Sequence, residues 1–115
     1  MGNPSSSKGK IKDTVPKLVE FIDTTIYGDI WERPELSKRD RSLITVSALI
    51  AMRATDQMRS HMEKALDNGV TPVELTELIT HLAFYAGTPA AVSAALIARP
   101  VLVESGFVKP DEAGS

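Results

Sequence analysis

Apolar residues along this chain recur at the helical spacing, and no stretch alternates with the period of two that a strand needs. Val15, Leu18, Val19 and Ile22 fall on one stripe, which predicts a first helix from Val15 to about Thr25. Gly28 and Pro34 then break the period, so Ile26 to Pro34 reads as irregular. Ser37 is a good N-cap for a helix from Lys38 to about Met52, apolar nearly all round from Leu43 onward. Such a helix belongs in the centre of a fold or in a subunit contact. Thr55 reads as the cap of a helix over Asp56 to Asp67, closed by Asn68-Gly69. Thr71-Pro72-Val73-Glu74 is a capping box with proline at the first helical position, opening a helix to about Ala86. Thr88-Pro89 repeats the start signal for a last helix to about Glu104, with Pro100 as a kink or break. These elements predict an all-α, single-domain helical bundle of about five to six helices over residues 14–106. Residues 1–13 read as a flexible polar N-terminal tail and 107–115 as a C-terminal tail.

Two helices carry apolar residues on more than one side. Phe84 and Val73 fall opposite the Leu75, Leu78, Ile79 and Leu82 stripe, and the run from Ala90 to Ala95 lets helices approach closely. A helix that is apolar on two sides buries two sides, which predicts a homo-oligomer.

Composition narrows the function. The 115 residues are 43% hydrophobic with a net charge of -2, so no basic stripe points to nucleic acid. No apolar run reaches the roughly 18 residues that cross a bilayer, and the polar start lacks a secretion signal, so a cytoplasmic protein is expected. The absence of cysteine excludes disulfides, thiolate metal sites and a cysteine nucleophile.

Few groups remain that can do chemistry. His61 lies at the edge of the Met58, Met62, Ala65 and Leu66 stripe, where it either hydrogen-bonds a backbone carbonyl or serves as a general acid/base. His81 and Tyr85, spaced i,i+4, share a flank that suits a polar substrate, a subunit bridge or a plain amphipathic boundary. Arg33, Arg39 and Arg41 flank the Trp31 loop. A guanidinium there fits a carboxylate ligand, or a solvated cluster with Glu32, Glu35 and Asp40. Two histidines without HxxxH or HExxH spacing do not make a metal site.

Three phrases, Trp31 to Val46, Ser60 to Thr71 and Glu77 to Ala91, resemble the carboxymuconolactone decarboxylase family, and the resemblance covers residues 26 to 104. It implies an all-helical, alkylhydroperoxidase-like fold assembled as a ring, commonly a hexamer built as a trimer of dimers. One branch of the family carries Cys-x-x-Cys ending four residues before the histidine; here Ala54 and Gln57 stand in those positions and cannot exchange disulfides. The other branch resembles a cofactor-independent decarboxylase acting on a small carboxylated lactone, such as 4-carboxymuconolactone, in aromatic compound degradation. On that branch the resemblance implies His61 as proton donor. Substrate-binding roles fall to Arg33, Arg39, Arg41, His81, Tyr85 and Trp31, with no cofactor and no metal. The alternative is a family member that binds a small ligand without chemistry. Thr88, where related sequences often carry a bulky aromatic, and Arg53-Ala54, in place of a Gly-Arg-like turn, depart from the family pattern.

Overall fold

The computed structural model describes residues 7–111; residues 1–6 and 112–115 of the expected tails lie outside the described residues. The described residues are all-helical, and none of these helices is long and apolar enough to cross a membrane. The chain divides after Lys38 into an N-terminal and a C-terminal compact unit.

The N-terminal unit begins with a single helical turn, α1 (Ser7–Lys10), followed by α2 (Pro16–Phe21). Pro16 sits at the start of α2, where its missing N–H costs nothing. The expected α-helix to Thr25 stops early: from Ile22 to Tyr27 the chain is π-helical. Four of those six residues, Ile22, Thr24, Thr25 and Ile26, are β-branched, and the Thr24 hydroxyl donates to the Glu20 carbonyl at 2.8 Å. Both effects weaken the ordinary α ladder. A 3-10 turn follows at Ile30–Glu32. Of the predicted stripe only Val19 is buried. Lys8 pairs with Asp23, and Tyr27 stacks on Trp31 with ring centroids 5.9 Å apart.

The C-terminal unit is built from four helices. Helix α3 (Lys38–Met52) starts directly after Ser37 and buries Ser42, Val46 and Ile50, one turn apart along one stripe. Leu43 and Leu49 pack partly buried against the same core, whereas Ile44 is 57% and Met52 67% exposed. The chain turns at Arg53, whose φ is 57°. Arg53 N–H donates to the Ile50 carbonyl and Ala54 N–H to the Leu49 carbonyl, the bonding pattern of a Schellman stop. Helix α4 (Thr55–Asp67) has Ala54 at its N-cap, so Thr55 is the first helical residue rather than the cap. A second Schellman stop closes α4. Gly69, at φ 102°, donates to Leu66, and the buried Val70 donates to Ala65.

Helix α5 (Pro72–Leu82) opens with the predicted capping box: Glu74 N–H donates to Thr71 Oγ1 at 3.1 Å, and Thr71 N–H donates to Glu74 Oε1 at 2.9 Å. It ends at Leu82, four residues before the expected Ala86, and continues as tighter turns in which Ala83, Phe84 and Tyr85 donate to the carbonyls three residues earlier. Helix α6 (Thr88–Glu104) is capped by Gly87, at φ 97°, rather than by Thr88. It runs unbroken through Pro100. Helix α6 packs against α4 and α5, burying Ala90, Ala91, Ala94 and Ala98 against a core that includes Ile50, Met58, Met62 and Leu75. Ser42, 2% exposed, accepts from Asn68 Nδ2 at 2.9 Å, tying the first turns of α3 to the end of α4.

Candidate functional site

Helical spacing brings two sets of side chains to face one groove. Arg39, Leu43 and Ser47 stand four residues apart on α3, and Glu74, Glu77, Leu78, His81 and Leu82 recur every three or four residues on α5. Together they line an open groove of about 380 Å³. Its floor is leucine, and its polar groups are one guanidinium, two carboxylates, one imidazole and a hydroxyl. The Ser47 hydroxyl already donates to the Leu43 carbonyl at 2.7 Å, which leaves its oxygen as an acceptor.

Arg39 is the only cation lining the groove, and it is held in place. Its Nη1 donates to Asp40 Oδ1 at 2.9 Å, and its Nη2 donates to Glu74 Oε2. The Thr71 backbone N–H holds the Glu74 carboxyl below the usual range; the nearby Arg39 charge adds to this, and desolvation works against it. A guanidinium has five donors in a fixed fork, so Arg39 keeps N–H groups for a further anion. Glu74 and Glu77 stand opposite one arginine, so carboxylates outnumber guanidinium groups in the lining.

His81 is exposed at the far end of the groove, with its ring 5.0 Å from that of Tyr85. That contact survives although the α-helix stops between them, because the tighter turn still leaves Tyr85 over the preceding one. His81 can donate or accept a hydrogen bond in the groove, and Tyr85, which does not line it, carries a hydroxyl of the same capacity beside the imidazole.

His61 lies elsewhere, on α4 between the buried Met58 and Met62, and it does not line this groove. It is about half-buried. Desolvation pushes its pKa below the ordinary imidazole value, and the Lys64 charge adds to the shift. Ala54 and Gln57 precede it, at the N-cap and in the first turn of α4. Arg41 is half-buried in the first turn of α3. Arg33 and Trp31 belong to the N-terminal unit, where Arg33 Nη2 is 3.7 Å from Glu35 and Trp31 stacks on Tyr27. Of the candidates, the groove therefore joins Arg39 with His81, and Tyr85 touches it through His81.

Sequence reasoning missed Glu74 and Glu77 as groove residues. Glu74 is fully accounted for as a helix cap, which hides its second role. The available signal was the recurrence of Glu74, Glu77 and His81 at three- and four-residue steps, one polar flank of α5.

An all-helical chain of this pattern has relatives. It belongs to the carboxymuconolactone decarboxylase family, whose sequence profile matches residues 16–100. Among curated proteins it is similar to a 4-carboxymuconolactone decarboxylase of Acinetobacter baylyi, 41% identical over 87 residues, which covers 76% of this chain and 65% of that protein. It is also similar to nitrosuccinic acid decarboxylase npaB of Metarhizium robertsii, 33% identical over 96 residues, covering 81% of this chain and 67% of the relative. The chain thus spans about two thirds of the length of these relatives.

Proposed function

We propose that this protein is a decarboxylase of small carboxylated acids, with a lactone such as 4-carboxymuconolactone as its substrate. The observation that carries the reading is the groove shared by Arg39 and His81 in a chain similar to two decarboxylases. The two names have one chemistry in common. In a carboxylated unsaturated lactone and in nitrosuccinic acid, the substrate itself contains a group that can take the electron pair left when CO2 departs. The carbon–carboxylate bond breaks, its electrons enter the conjugated lactone, and one proton is returned to carbon.

The chain's residues have three tasks under this reading. Arg39 binds a carboxylate through its remaining N–H donors. The apolar floor of Leu43, Leu78 and Leu82 favours the state in which the leaving carboxylate has lost its charge. An imidazole returns the proton, and His81 is the histidine that shares the groove with Arg39. The family resemblance points to His61 for the same step. A lowered pKa leaves His61 neutral near pH 7, in the form that accepts a proton before it gives one.

The chain is further proposed to work as a homo-oligomer, the hexamer that the resemblance implies. Phe84 at 83% and Leu96 at 70% exposure are apolar surface of the kind subunit contacts cover.

The test is an ultraviolet assay of CO2 loss from 4-carboxymuconolactone. Arg39→Gln raises KM, and His81→Gln lowers kcat by about 100-fold or more, the usual contribution of a general acid/base. Undiminished turnover in both variants would remove the groove as the active site; a loss confined to His61→Gln would move the proton step to α4. A second reading, a binder without chemistry, is favoured by one observation: Arg39 is already held by Asp40 and Glu74. Saturable lactone binding without CO2 release would establish it.

A further inference from the structure

A second cavity, of about 300 Å³, opens on the other flank of α5, against α6. Its floor is apolar, formed by the buried Ile79, Ala98 and Leu102. Its wall holds Thr76 and Thr80, whose hydroxyl protons are already committed to the Val73 and Thr76 carbonyls at 2.8 and 2.9 Å. Those threonines therefore offer the cavity methyl groups and acceptor oxygens, not donors. The only charged side chain lining the cavity is Arg99, at its rim. Arg99 Nη2 donates to Asp111 Oδ1 at 2.7 Å, so a carboxylate from the C-terminal segment already lies on this guanidinium. The Arg39 groove has neither of these residues, and its lining carries two carboxylates of its own.

We infer that this cavity is a binding site for a small monocarboxylate with an apolar body, and that Asp111 is its built-in competitor. One cation above an apolar pocket matches one anionic head on an apolar tail. A second charge on the ligand would have to be buried against Ile79 and Leu102, with no cation to meet it. The volume sits at the lower end of small-molecule pockets, enough for a phenyl ring or a short acyl chain. The Arg99–Asp111 pair is half-exposed on both sides and is easily displaced, because exposed ion pairs contribute little. An incoming carboxylate replaces the Asp111 contact like for like and gains the burial of its apolar body in addition.

The probe is 4-phenylbutyrate, followed by NMR at the methyl groups of Thr76, Thr80 and Val108, all of which line this cavity and not the Arg39 groove. Saturable shifts at these three residues are expected. Asp111→Asn removes the competing charge and tightens binding by about fivefold, in keeping with a weak exposed pair. Arg99→Gln abolishes the saturable shifts, and 4-phenylbutanol, which lacks the charge, gives none. The inference is overturned if Arg99→Gln binds as well as the wild type, or if Asp111→Asn does not tighten binding. It also falls if the shifts appear at Leu43 and Leu78, which would put the carboxylate in the other groove. Because the readout is local, it succeeds or fails independently of decarboxylase activity.

Discussion

The Glu74 carboxylate serves two partners with its two oxygens: Oε1 accepts the Thr71 N–H that begins α5, and Oε2 accepts from Arg39 on α3. One side chain thus starts a helix and fixes the cation of the groove.

The two roles separate in Glu74→Gln. The amide oxygen can still accept from Thr71, since glutamine also closes a capping box. The amide nitrogen no longer attracts the guanidinium. Arg39 is then released for substrate, and KM for the carboxylated lactone falls about threefold, a change of the size expected when one exposed ion pair is removed. Glu74→Ala loses the cap as well and lowers Tm. If KM in Glu74→Gln is unchanged, Arg39 is not limited by Glu74.

His61 gives a pH prediction with a definite sign. Burial, with a smaller push from Lys64, depresses its folded pKa below the unfolded value near 6.5. Between the two values the unfolded chain binds more protons, so stability rises with pH. This contribution is complete above the unfolded value and is lost as pH falls through the folded one. Titrating the ring protons by NMR should give His61 a midpoint below the ordinary imidazole value. Lys64→Gln should restore only part of the difference, because burial is the larger cause. A midpoint at or above 6.5 would contradict the burial seen here.

The Schellman stops of α3 and α4 differ in the residue at the left-handed position, Arg53 against Gly69. A side chain in the left-handed region costs roughly 1 kcal/mol that glycine does not incur. Arg53→Gly therefore stabilises the fold by about 1 kcal/mol in urea titration, and Gly69→Ala destabilises it by a similar amount. A loss of stability in Arg53→Gly would mean that the arginine side chain makes contacts that outweigh its backbone strain.

Phe84 tests the proposed assembly. Replacing an 83% exposed phenyl group by aspartate costs a lone subunit almost nothing, since no core contact is lost. In an oligomer that covers it, the same change buries a charge. Sedimentation velocity should show Phe84→Asp shifted to smaller species with an unchanged helical circular dichroism spectrum. An unchanged mass would exclude this face from the contact.

Helix starts and stops were legible in the chain wherever backbone chemistry is local. The Thr71 capping box, the Asn68-Gly69 stop and the α3 span of Lys38 to Met52 are found as read. Thr55 and Thr88 misled because a threonine beside a helix can be its first residue as readily as its cap; Ala54 and Gly87 take the cap instead. The early end of α5 depends on how successive carbonyls are shared, which no side-chain pattern encodes; the π-helical turn had a signal in the β-branched residues from Ile22 to Ile26, which the apolar stripe of the first helix outweighed. For the site, the arginine and histidine candidates were visible as residue types. Their partnership was not, because Arg39 meets Glu74 across 35 positions of sequence.

Helix α6 meets its neighbours through Ala90, Ala91, Ala94 and Ala98, all nearly inaccessible. Where the contact is made by methyl groups on a backbone, the distance between helices is a property of the main chain and not of any rotamer. Ala94 is fully buried, and valine has only one, stiff side-chain torsion, so the two methyl groups added in Ala94→Val push the helices apart at a cost of about 1–3 kcal/mol. Since α5 lies against α6 on one side and faces the Arg39 groove on another, such a shift also changes the width available to a substrate. A seam of alanines with no space for a larger side chain thus acts as a ruler, fixing the spacing of the helix whose other side lines the Arg39 groove.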